Sequence, residues 1–551
     1  MTAIGSFTFV LHSHLPYARK AGRWPHGEEW LHEAAAETYI PLLDALYDLK
    51  AEGVPARLTL TLTPILLEQL ADEDVRRNFL DYVDQKIAAA SADIPRFEGA
   101  GDGHMTFLAG FYRDFYSGIR RSFVDRYQGD LVGAFRRLQD DGVLEVATCA
   151  ATHGYLPLLD RDESIQLQLR TAVGSYKRHF GRAPRAIWLP ECAYRPAYTA
   201  EDGRPRPGLE DFLSENGLRL FFAETHMIEG GRPVGVAAGE AIGPYGAITR
   251  RYLVPFSEAQ PEQPTTTFQP YYVTAPGVAV LGRNNRTGLQ VWSAEWGYPG
   301  DFDYREFHKK DGISGMQYWR VSGARVDLGD KDAYHPDWAA WKVGEHSRHF
   351  AYLVSDLLQS YHAETQQHGV IAANYDTELF GHWWFEGIEW VKCVLRELAG
   401  SDSVQLTTAS AFLDEHPPAV AINLPEGSWG AGGTHFVWDN ADTHWMWPII
   451  HECEARMLKA AAQHKAANGG ARTLLNQVAR ELLLLQSSDW PFLVTTGQAK
   501  EYAIQRFLQH VDRFNALIDS LDRGAPDLDL TAELWEKDKV FPEIDFRWFA
   551  R

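Results

Sequence analysis

The chain has 551 residues, 45% of them hydrophobic, so it can form a main domain with additions and bury a large core. Its 53 basic and 74 acidic side chains give a net charge of −21, which argues against nucleic acid or an anionic membrane as a partner. No run approaches the roughly 20 apolar residues of a membrane span, and the N-terminus lacks the pattern of a secretory signal. The four cysteines show no CxxC spacing, and we expect reduced thiols in a cytoplasmic protein.

A short β-rich run, a turn with reactive side chains and a helical stretch follow one another repeatedly along the chain. The predicted strands are residues 7–11, 57–62, 144–148, 186–189, 218–222, 289–292 and 370–374. Helices are predicted over 30–49 and 163–180, the second ending at Gly181 as a C-cap. Alternating β and α units imply a parallel sheet. Polar residues after every strand favour a barrel, with its active face at the carboxyl ends, over a doubly wound open sheet.

Two regions depart from this alternation. Residues 91–143, between the second and third predicted strands, have a helical pattern and are predicted to form an inserted helical subdomain. From about residue 406 onward helical spacing dominates, which predicts a C-terminal helical domain over 406–551. The α/β barrel would then comprise residues 1–90 and 144–405. The Gly-rich stretch 229–249 is predicted to be a mobile loop near the active face.

The 18 tryptophans are more than a core alone needs, because indole is bulky and its N–H requires a partner. Several stand beside glycine, histidine or acidic residues rather than within apolar runs. Flat aromatic faces in such surroundings suit uncharged, ring-shaped ligands, and sugars fit that description. Core packing accounts for about half of the tryptophans in this interpretation.

Two acidic residues leave predicted strands at their carboxyl ends. Glu191 lies in Ala186-Ile-Trp-Leu-Pro-Glu-Cys-Ala-Tyr194, and Asp376 follows the strand that ends at Asn374. Glycosyl transfer with retention needs two carboxyl groups about 5–5.5 Å apart, one to attack and one to protonate the leaving oxygen. Glu191 and Asp376 are the candidates. Glu378 and Glu386 are rivals of Asp376, and either acid could instead cap a helix or pair with an arginine.

Histidines also follow the predicted strands. His12 and His14 form an HxH pattern after the first strand, and His153 follows the third. Together with an acid they could hold zinc, as in the metal-dependent sugar deacetylases, which also use incomplete barrels. They could equally hydrogen-bond sugar hydroxyls beside a carboxylate nucleophile. The residues alone leave both interpretations open.

Five motifs, in order, resemble those of glycoside hydrolase family 57. They are His12-Ser-His-Leu-Pro16, His153-Gly-Tyr-Leu-Pro-Leu158, Trp188-Leu-Pro-Glu-Cys192, Tyr375-Asp-Thr-Glu-Leu-Phe-Gly-His-Trp383 and Ser428-Trp-Gly430. Within the family the chain is most similar to the 1,4-α-glucan branching enzymes, over nearly its whole length. The resemblance implies an incomplete (β/α)7 barrel with an inserted helical subdomain and a C-terminal helical domain. It also implies that Glu191 is the nucleophile and Asp376 the general acid/base.

The resemblance implies an α-1,4-glucan substrate such as amylose or a glycogen-like polysaccharide, a role in glycogen synthesis, and no cofactor. It favours sugar binding over metal binding for His12, His14 and His153. Tyr245, within the predicted mobile loop, resembles a loop tyrosine of the branching enzymes, and that loop is the expected lid that shields the glycosyl-enzyme from water. The further substrate-binding positions it implies are Trp24, Trp30, Arg283, Trp292, Gly300, Trp429, Trp438, Asp489 and Gln498.

Other activities fit parts of the same pattern. An α-amylase or a 4-α-glucanotransferase of the family would share the two carboxylates. A metal-dependent polysaccharide deacetylase and a non-catalytic glycan-binding protein are more remote alternatives, and Asp489 could be a helix N-cap. The sequence does not indicate an oligomeric state.

Overall fold

The computed structural model describes residues 3–23, 25–200, 202–231, 233, 242–243, 246–247, 263–274, 277–292, 297–323 and 325–549. Strands and helices alternate in it, so the fold is mixed α/β. Seven strands are joined by parallel pairing or bridges: β1 (Gly5–Ser13), β2 (Leu58–Leu62), β3 (Leu144–Ala147), β4 (Ala186–Ile187), β5 (Leu220–Ala223), β6 (Ala279–Gly282) and β7 (Gly369–Asp376).

These seven strands are connected in a cyclic order. β1 pairs with β7 along most of its length, ending with His12 opposite Asp376, and with β2 on its other side. β2 pairs with β3, β4 with β5, and β5 with β6. Single parallel bridges, Thr148 to Ile187 and Arg283 to Ala372, join β3 to β4 and β6 to β7. Because all seven strands run in one direction, their carboxyl ends meet at one rim.

Alternate residues of these strands contribute to two different cores. One buried cluster draws on most of the strands and includes Val10, Ala147, Trp188, Phe222, Leu281 and Ala372. Their neighbours Phe9, Phe221 and Ile371 belong instead to the larger cluster shared with the helices. Burial on both faces explains why these strands read as nearly continuous apolar runs.

The prediction of a strand at residues 289–292 is wrong. Asn285–Trp292 is a helix. The strand that lies between β5 and β7 in the cyclic order is β6, which comes earlier in the chain. The Asn284 side-chain oxygen accepts the backbone N–H of Thr287 at 3.1 Å, which caps the start of the helix. Thr287 and Val291 are buried four residues apart, which is helical spacing. The other six predicted strands overlap β1 to β5 and β7.

Helices occupy the segments between these strands and most of the chain after residue 446. Asp162–Phe180 ends, as predicted, at Gly181 in the left-handed conformation (φ 70°). The α-helices are Glu28–Ala34, Ile40–Ala51, Pro64–Ala71, Glu73–Gly99, Gly103–Arg121, Leu131–Asp140, Asp162–Phe180, Leu209–Glu215, Thr225–Glu229, Asn285–Trp292, Pro336–Thr365, Gly387–Ala399, Ala409–Glu415, Met446–Gln463, Gly469–Leu485, Asp489–Thr496, Lys500–Asp522 and Leu528–Lys537.

Four of these helices lie between β2 and β3, and the predicted domain boundary at residues 90/91 falls inside Glu73–Gly99. Among the described residues, none of the helices combines the length and apolarity that crossing a membrane requires. The short strands outside the cyclic order are Tyr198–Thr199, Pro205–Arg206, Ile242–Gly243, Gly246–Ala247, Tyr271–Val273, Val404–Leu406 and Ala421–Ile422.

Candidate active site

Glu191 lies in a tight turn, Pro190–Cys192, that follows β4 at the rim. Its backbone is left-handed, with φ 62° and ψ 25°, and Cys192 also has a positive φ of 49°. Non-glycine residues adopt this region at a cost of about 1–3 kcal/mol and keep it only where the surroundings enforce it. The surroundings therefore hold the turn Pro190–Cys192 in this conformation.

Trp429 holds Glu191 through two hydrogen bonds. Its indole Nε1–H donates to Glu191 Oε2 at 2.7 Å, and its backbone N–H donates to the Glu191 carbonyl at 3.1 Å. The Trp429 ring meets Trp188 edge-on, with ring centroids 5.1 Å apart. The Ser428-Trp-Gly430 motif thus orients the candidate nucleophile, and Trp429 remains half-buried at the site.

Asp376 is the last residue of β7 and is half-buried at the same rim. Burial raises its pKa to about 7, opposed by the positive charge of Arg283. Burial also raises the pKa of Glu191 to about 8, and the charge of Asp376 adds to that rise. The two carboxyl groups therefore interact electrostatically, as the assignment of both to one site requires.

The three predicted histidines are brought together, each hydrogen-bonded to a polar partner. His12 Nε2 lies 3.0 Å from His153 Nε2, and His153 Nδ1 lies 2.7 Å from the Ser488 hydroxyl. His14 Nε2 contacts Asp489 Oδ1 at 3.0 Å, and the rings of His14 and His153 stack with centroids 3.9 Å apart. Burial holds the pKa values of His12 and His153 well below their usual range, so both are neutral near pH 7.

The histidine cluster includes two groups with ligand atoms close enough for a metal ion: His12, Cys149 and His153, and His14, His153 and Asp489. Burial raises the pKa of the Cys149 thiol well above its usual range. His12 Nε2, His14 Nε2 and both ring nitrogens of His153 are already in hydrogen bonds. These bonds favour a hydrogen-bonding role for the three histidines over metal binding.

Arg283 follows β6 and forms a buried ion pair with Glu224, which follows β5. Its Nη1 donates to Glu224 Oε2 at 2.9 Å, and its carbonyl accepts the Thr225 hydroxyl at 2.7 Å. The ion pair fixes the Arg283 guanidinium, whose positive charge opposes the rise in the pKa of Asp376. Trp292 is 38% exposed at the end of the helix Asn285–Trp292, and Gly300 is exposed in the turn Tyr298–Gly300.

The remaining predicted tryptophans have different surroundings. Trp438 is 1% exposed, stacks on Tyr155 with centroids 4.4 Å apart and packs closely against Gly430, so its ring is buried and does not offer a face to a sugar. Trp30 is buried edge-on to Tyr502. Gln498 is half-buried just after the helix Asp489–Thr496. Trp24, Tyr245 and most of the predicted loop 229–249 lie outside the described residues.

The two rivals of Asp376 are both held in hydrogen bonds. Glu378 accepts the Tyr39 hydroxyl and the His14 backbone N–H, the latter at 3.2 Å. Glu386 accepts the Tyr334 hydroxyl at 2.7 Å and the Arg305 backbone N–H at 3.0 Å. Both carboxyl groups are buried, which suits a supporting role.

The sequence interpretation missed Ser488. It contacts the side chain of His153, and its backbone N–H donates to the His153 carbonyl at 3.0 Å. A contact between residues 335 positions apart leaves no local pattern. The available signal was its place beside Asp489, which the resemblance had already assigned to the site.

Two family models match the chain. Glycosyl hydrolase family 57 matches residues 8–425, and a model described as 1,4-alpha-glucan branching enzyme, C-terminal, matches residues 449–549. The first match covers well over half of the sequence. The chain belongs to glycosyl hydrolase family 57.

Three proteins of known structure resemble this chain in both sequence and fold. The 1,4-alpha-glucan branching enzyme TK1436 of Thermococcus kodakarensis is 45% identical over 550 residues, 98% of this chain and 78% of that protein. Its crystal structure matches with a TM-score of 0.89, 42% identity, and coverage of 99% of this chain and 96% of that one. A GH57-type branching enzyme from Pyrococcus horikoshii matches with a TM-score of 0.86 and 43% identity, over 99% of this chain and 97% of that one. The α-amylase AmyC from Thermotoga maritima matches with a TM-score of 0.82 and 30% identity, over 99% of both chains.

Proposed function

We propose that this chain is a 1,4-α-glucan branching enzyme that works by retaining double displacement. The observation that carries the proposal is the contact between Asp489 and His14. Through it, the region that matches the branching-enzyme C-terminal model reaches the rim that carries Glu191 and Asp376. The 45% identity to the Thermococcus kodakarensis branching enzyme supports the same activity.

In the first step, an α-1,4-glucan binds across the rim. The Glu191 carboxylate attacks the anomeric carbon, and Asp376 donates its proton to the departing glycosidic oxygen. The products are a covalent glycosyl-enzyme and a shortened glucan chain. Trp429 keeps Glu191 in place through the bond to Oε2.

In the second step, Asp376 is ionised and acts as the base. It removes the proton from a 6-hydroxyl of another glucan, whose oxygen attacks the glycosyl-enzyme and releases Glu191. Two inversions give net retention and an α-1,6 branch. The carboxyl pair supplies the nucleophile and the proton transfers, so the mechanism requires no cofactor.

The pKa values of the pair predict a bell-shaped pH profile. With Glu191 raised to about 8 and Asp376 to about 7, the pair holds one proton near neutral pH. Below this range both groups are protonated and attack is lost, whereas above it both are ionised and the leaving group receives no proton. We expect kcat/KM on amylose to peak between about pH 7 and pH 8. A profile without an alkaline limb would contradict this assignment.

Tyr245 lies outside the described residues, so its role stays a prediction from the resemblance. We expect Tyr245→Ala to raise the ratio of hydrolysis to branching, because water then reaches the glycosyl-enzyme more easily. The ratio of new reducing ends to α-1,6 branches on amylose measures this. Tyr352→Ala is the matched control, since that side chain is 68% exposed on the helix Pro336–Thr365. An unchanged ratio in the Tyr245 variant would remove the loop from the mechanism.

An α-amylase is the second candidate, because AmyC from Thermotoga maritima matches with a TM-score of 0.82. Both activities would use the same two carboxyl groups. Product analysis on amylose separates them: a branching enzyme creates branches that isoamylase releases as short chains, whereas an amylase yields linear oligosaccharides alone. The absence of isoamylase-sensitive branches from an active preparation would refute the proposed function.

We further propose that the cyclic strand order is the incomplete (β/α)7 barrel implied by the resemblance. Residues 1–90 and 144–405 would form it, with 91–143 as the inserted helical subdomain and 406–551 as the C-terminal helical domain. Amylose and glycogen-like glucan are the proposed partners, with no nucleic acid and no membrane. The cytoplasmic location stays a prediction.

A further inference from the structure

Two tryptophans that the mechanism does not use are exposed on the helix Pro336–Thr365. Trp338 is 45% exposed and Trp341 is 61% exposed. They are three residues apart, so their side chains are neighbours on one side of the helix. Single apolar side chains are common on protein surfaces, whereas clustered ones mark a place where something binds.

The helix carries both rings past the rim of the strands. It ends at Thr365, four residues before β7 begins at Gly369, so its amino end lies toward the carboxyl ends of the strands. Its 30 residues span about 45 Å, whereas the 8 residues of β7 span about 26 Å. The first turns of the helix, with Trp338 and Trp341, therefore extend beyond the rim on the active face.

Lys342 connects Trp341 to the segment that contains Gly300. The Lys342 Nζ lies over the Trp341 ring, 5.2 Å from its centroid, and 3.7 Å from Asp301 Oδ2. Asp301 directly follows Gly300, which the resemblance assigns to substrate binding. Trp341 is thus separated from the proposed substrate-binding turn by a single side chain.

Trp338 is held by a second ring and a second cation. The His335 ring stacks on it, with centroids 3.9 Å apart and planes 14° apart. The Arg320 guanidinium lies over the Trp338 ring at 5.7 Å, and its Nη1 donates to the Phe302 carbonyl at 3.1 Å. Phe302 is itself exposed, two residues after Gly300. Rings that are fixed before a ligand arrives lose less conformational entropy when they bind it.

The two cations beside the rings are already paired with carboxylates. Lys342 faces Asp301, and Arg320 Nη2 donates to Asp332 Oδ2 at 2.7 Å. These pairs leave little attraction for an ionic ligand, whereas a hydroxyl group donates and accepts and can use either member of a pair. Charged residues are depleted at the centre of protein–protein interfaces. Flat rings with a fringe of paired charges therefore suit the C–H faces and hydroxyl groups of uncharged sugars.

We propose that Trp338 and Trp341, with the exposed Phe302, form a second binding site for an α-1,4-glucan chain, outside the site of cleavage. The inference rests on the proposed function, which supplies a polymeric substrate. A polymer bound at one site is held at high effective concentration near the other. The second site therefore strengthens the binding of long glucans and leaves the binding of short ones unchanged.

The test compares the retardation of full-length Trp341→Ala and its parent in native gels that contain glycogen. Both proteins also carry Glu191→Gln, so that the glucan is not altered during the run. Loss of the ring should raise the apparent Kd for glycogen about tenfold, and Trp341→Phe, which keeps a ring, should retain most of the affinity. In the otherwise unmodified enzyme, Trp341→Ala should raise KM for amylose without changing kcat. Its kcat/KM on α-glucosyl fluoride, which is too small to span two sites, should stay the same.

The matched control is Tyr352→Ala, which removes a 68% exposed ring from the same helix, about 16 Å farther from the rim. Its affinity for glycogen should equal that of its parent. Unchanged retardation and KM in a folded Trp341→Ala variant would overturn the second site and leave the proposed function intact. A change in oligomeric state alone, measured by sedimentation, would assign the rings to an interface between copies and overturn it too. An unmodified enzyme that binds glycogen but forms no branches would instead refute the proposed function.

Discussion

Replacing Glu191 with glutamine is expected to lower kcat for both cleavage and branching by about 10⁴-fold or more. The amide has nearly the same shape but cannot attack the anomeric carbon, so the covalent route closes. Trp429 Nε1 can still donate to the amide oxygen, so the turn Pro190–Cys192 should keep its conformation. Initial rates of reducing-end release and of branch formation on amylose measure the loss.

Glu454→Gln is the matched control for this variant. Glu454 is fully buried, and burial raises its pKa to about 8, as it does for Glu191. It accepts the Asp160 backbone N–H at 3.0 Å and the Gln486 amide at 2.9 Å. Removing a buried carboxylate with this titration behaviour should leave most of the activity. Glu191→Gln retaining more than about 1% of kcat would contradict the nucleophile assignment.

Asp376→Asn is expected to lower kcat on amylose by about 10³-fold, the range of general acid–base catalysis. The effect should depend on the leaving group. A glucosyl fluoride departs without a proton, so its first step should stay fast while the glycosyl-enzyme accumulates, because the asparagine cannot activate an acceptor hydroxyl. Added azide needs no base and should restore turnover, giving an α-glycosyl azide that mass spectrometry and NMR identify.

Glu378→Gln tests whether Glu378, rather than Asp376, is the general acid/base. Glu378 lies two residues after Asp376, and burial raises its pKa to about 8, but it is bound by Tyr39 and the His14 backbone. We expect a loss of no more than about tenfold and no effect of azide. Azide rescue in Glu378→Gln, and its absence in Asp376→Asn, would transfer the acid/base role to Glu378.

The sequence contained enough to locate both carboxyl groups. An apolar run that ends in Pro-Glu or in Tyr-Asp predicts an acid at the carboxyl end of a buried strand. In the structure Glu191 follows such a strand and Asp376 is the last residue of another. Parallel strands bring such ends to one rim whatever their separation in sequence. For that reason residues 185 positions apart, Glu191 and Asp376, could be assigned to one site.

Other features depend on tertiary contacts that sequence patterns do not encode. The left-handed backbone of Glu191 is imposed by its surroundings, since glutamate has no local preference for it. The hydrogen bond between His12 and His153 joins residues 141 positions apart. The burial of Trp438 against Tyr155 is likewise a packing outcome, and spacing alone did not distinguish it from the half-buried Trp429.

The incorrect prediction of a strand at residues 289–292 has a local cause. Its alternating apolar residues fit a strand as well as one side of a helix, and a run of four is too short to decide. The side-chain oxygen of Asn284 decides for a helix by capping the N–H of Thr287. The actual strand, Ala279–Gly282, was not predicted, because it too has only four residues and is too short for a clear pattern.

Trapping the glycosyl-enzyme tests the central claim most directly. A slow fluorosugar of the α-glucosyl series, incubated with the Asp376→Asn variant and followed by proteolysis and mass spectrometry, should label a single peptide. The label is expected on Glu191, with the peptide carrying one added glycosyl unit. An adduct on any other residue, or no adduct from a preparation whose unmodified enzyme branches amylose, would contradict the proposed mechanism.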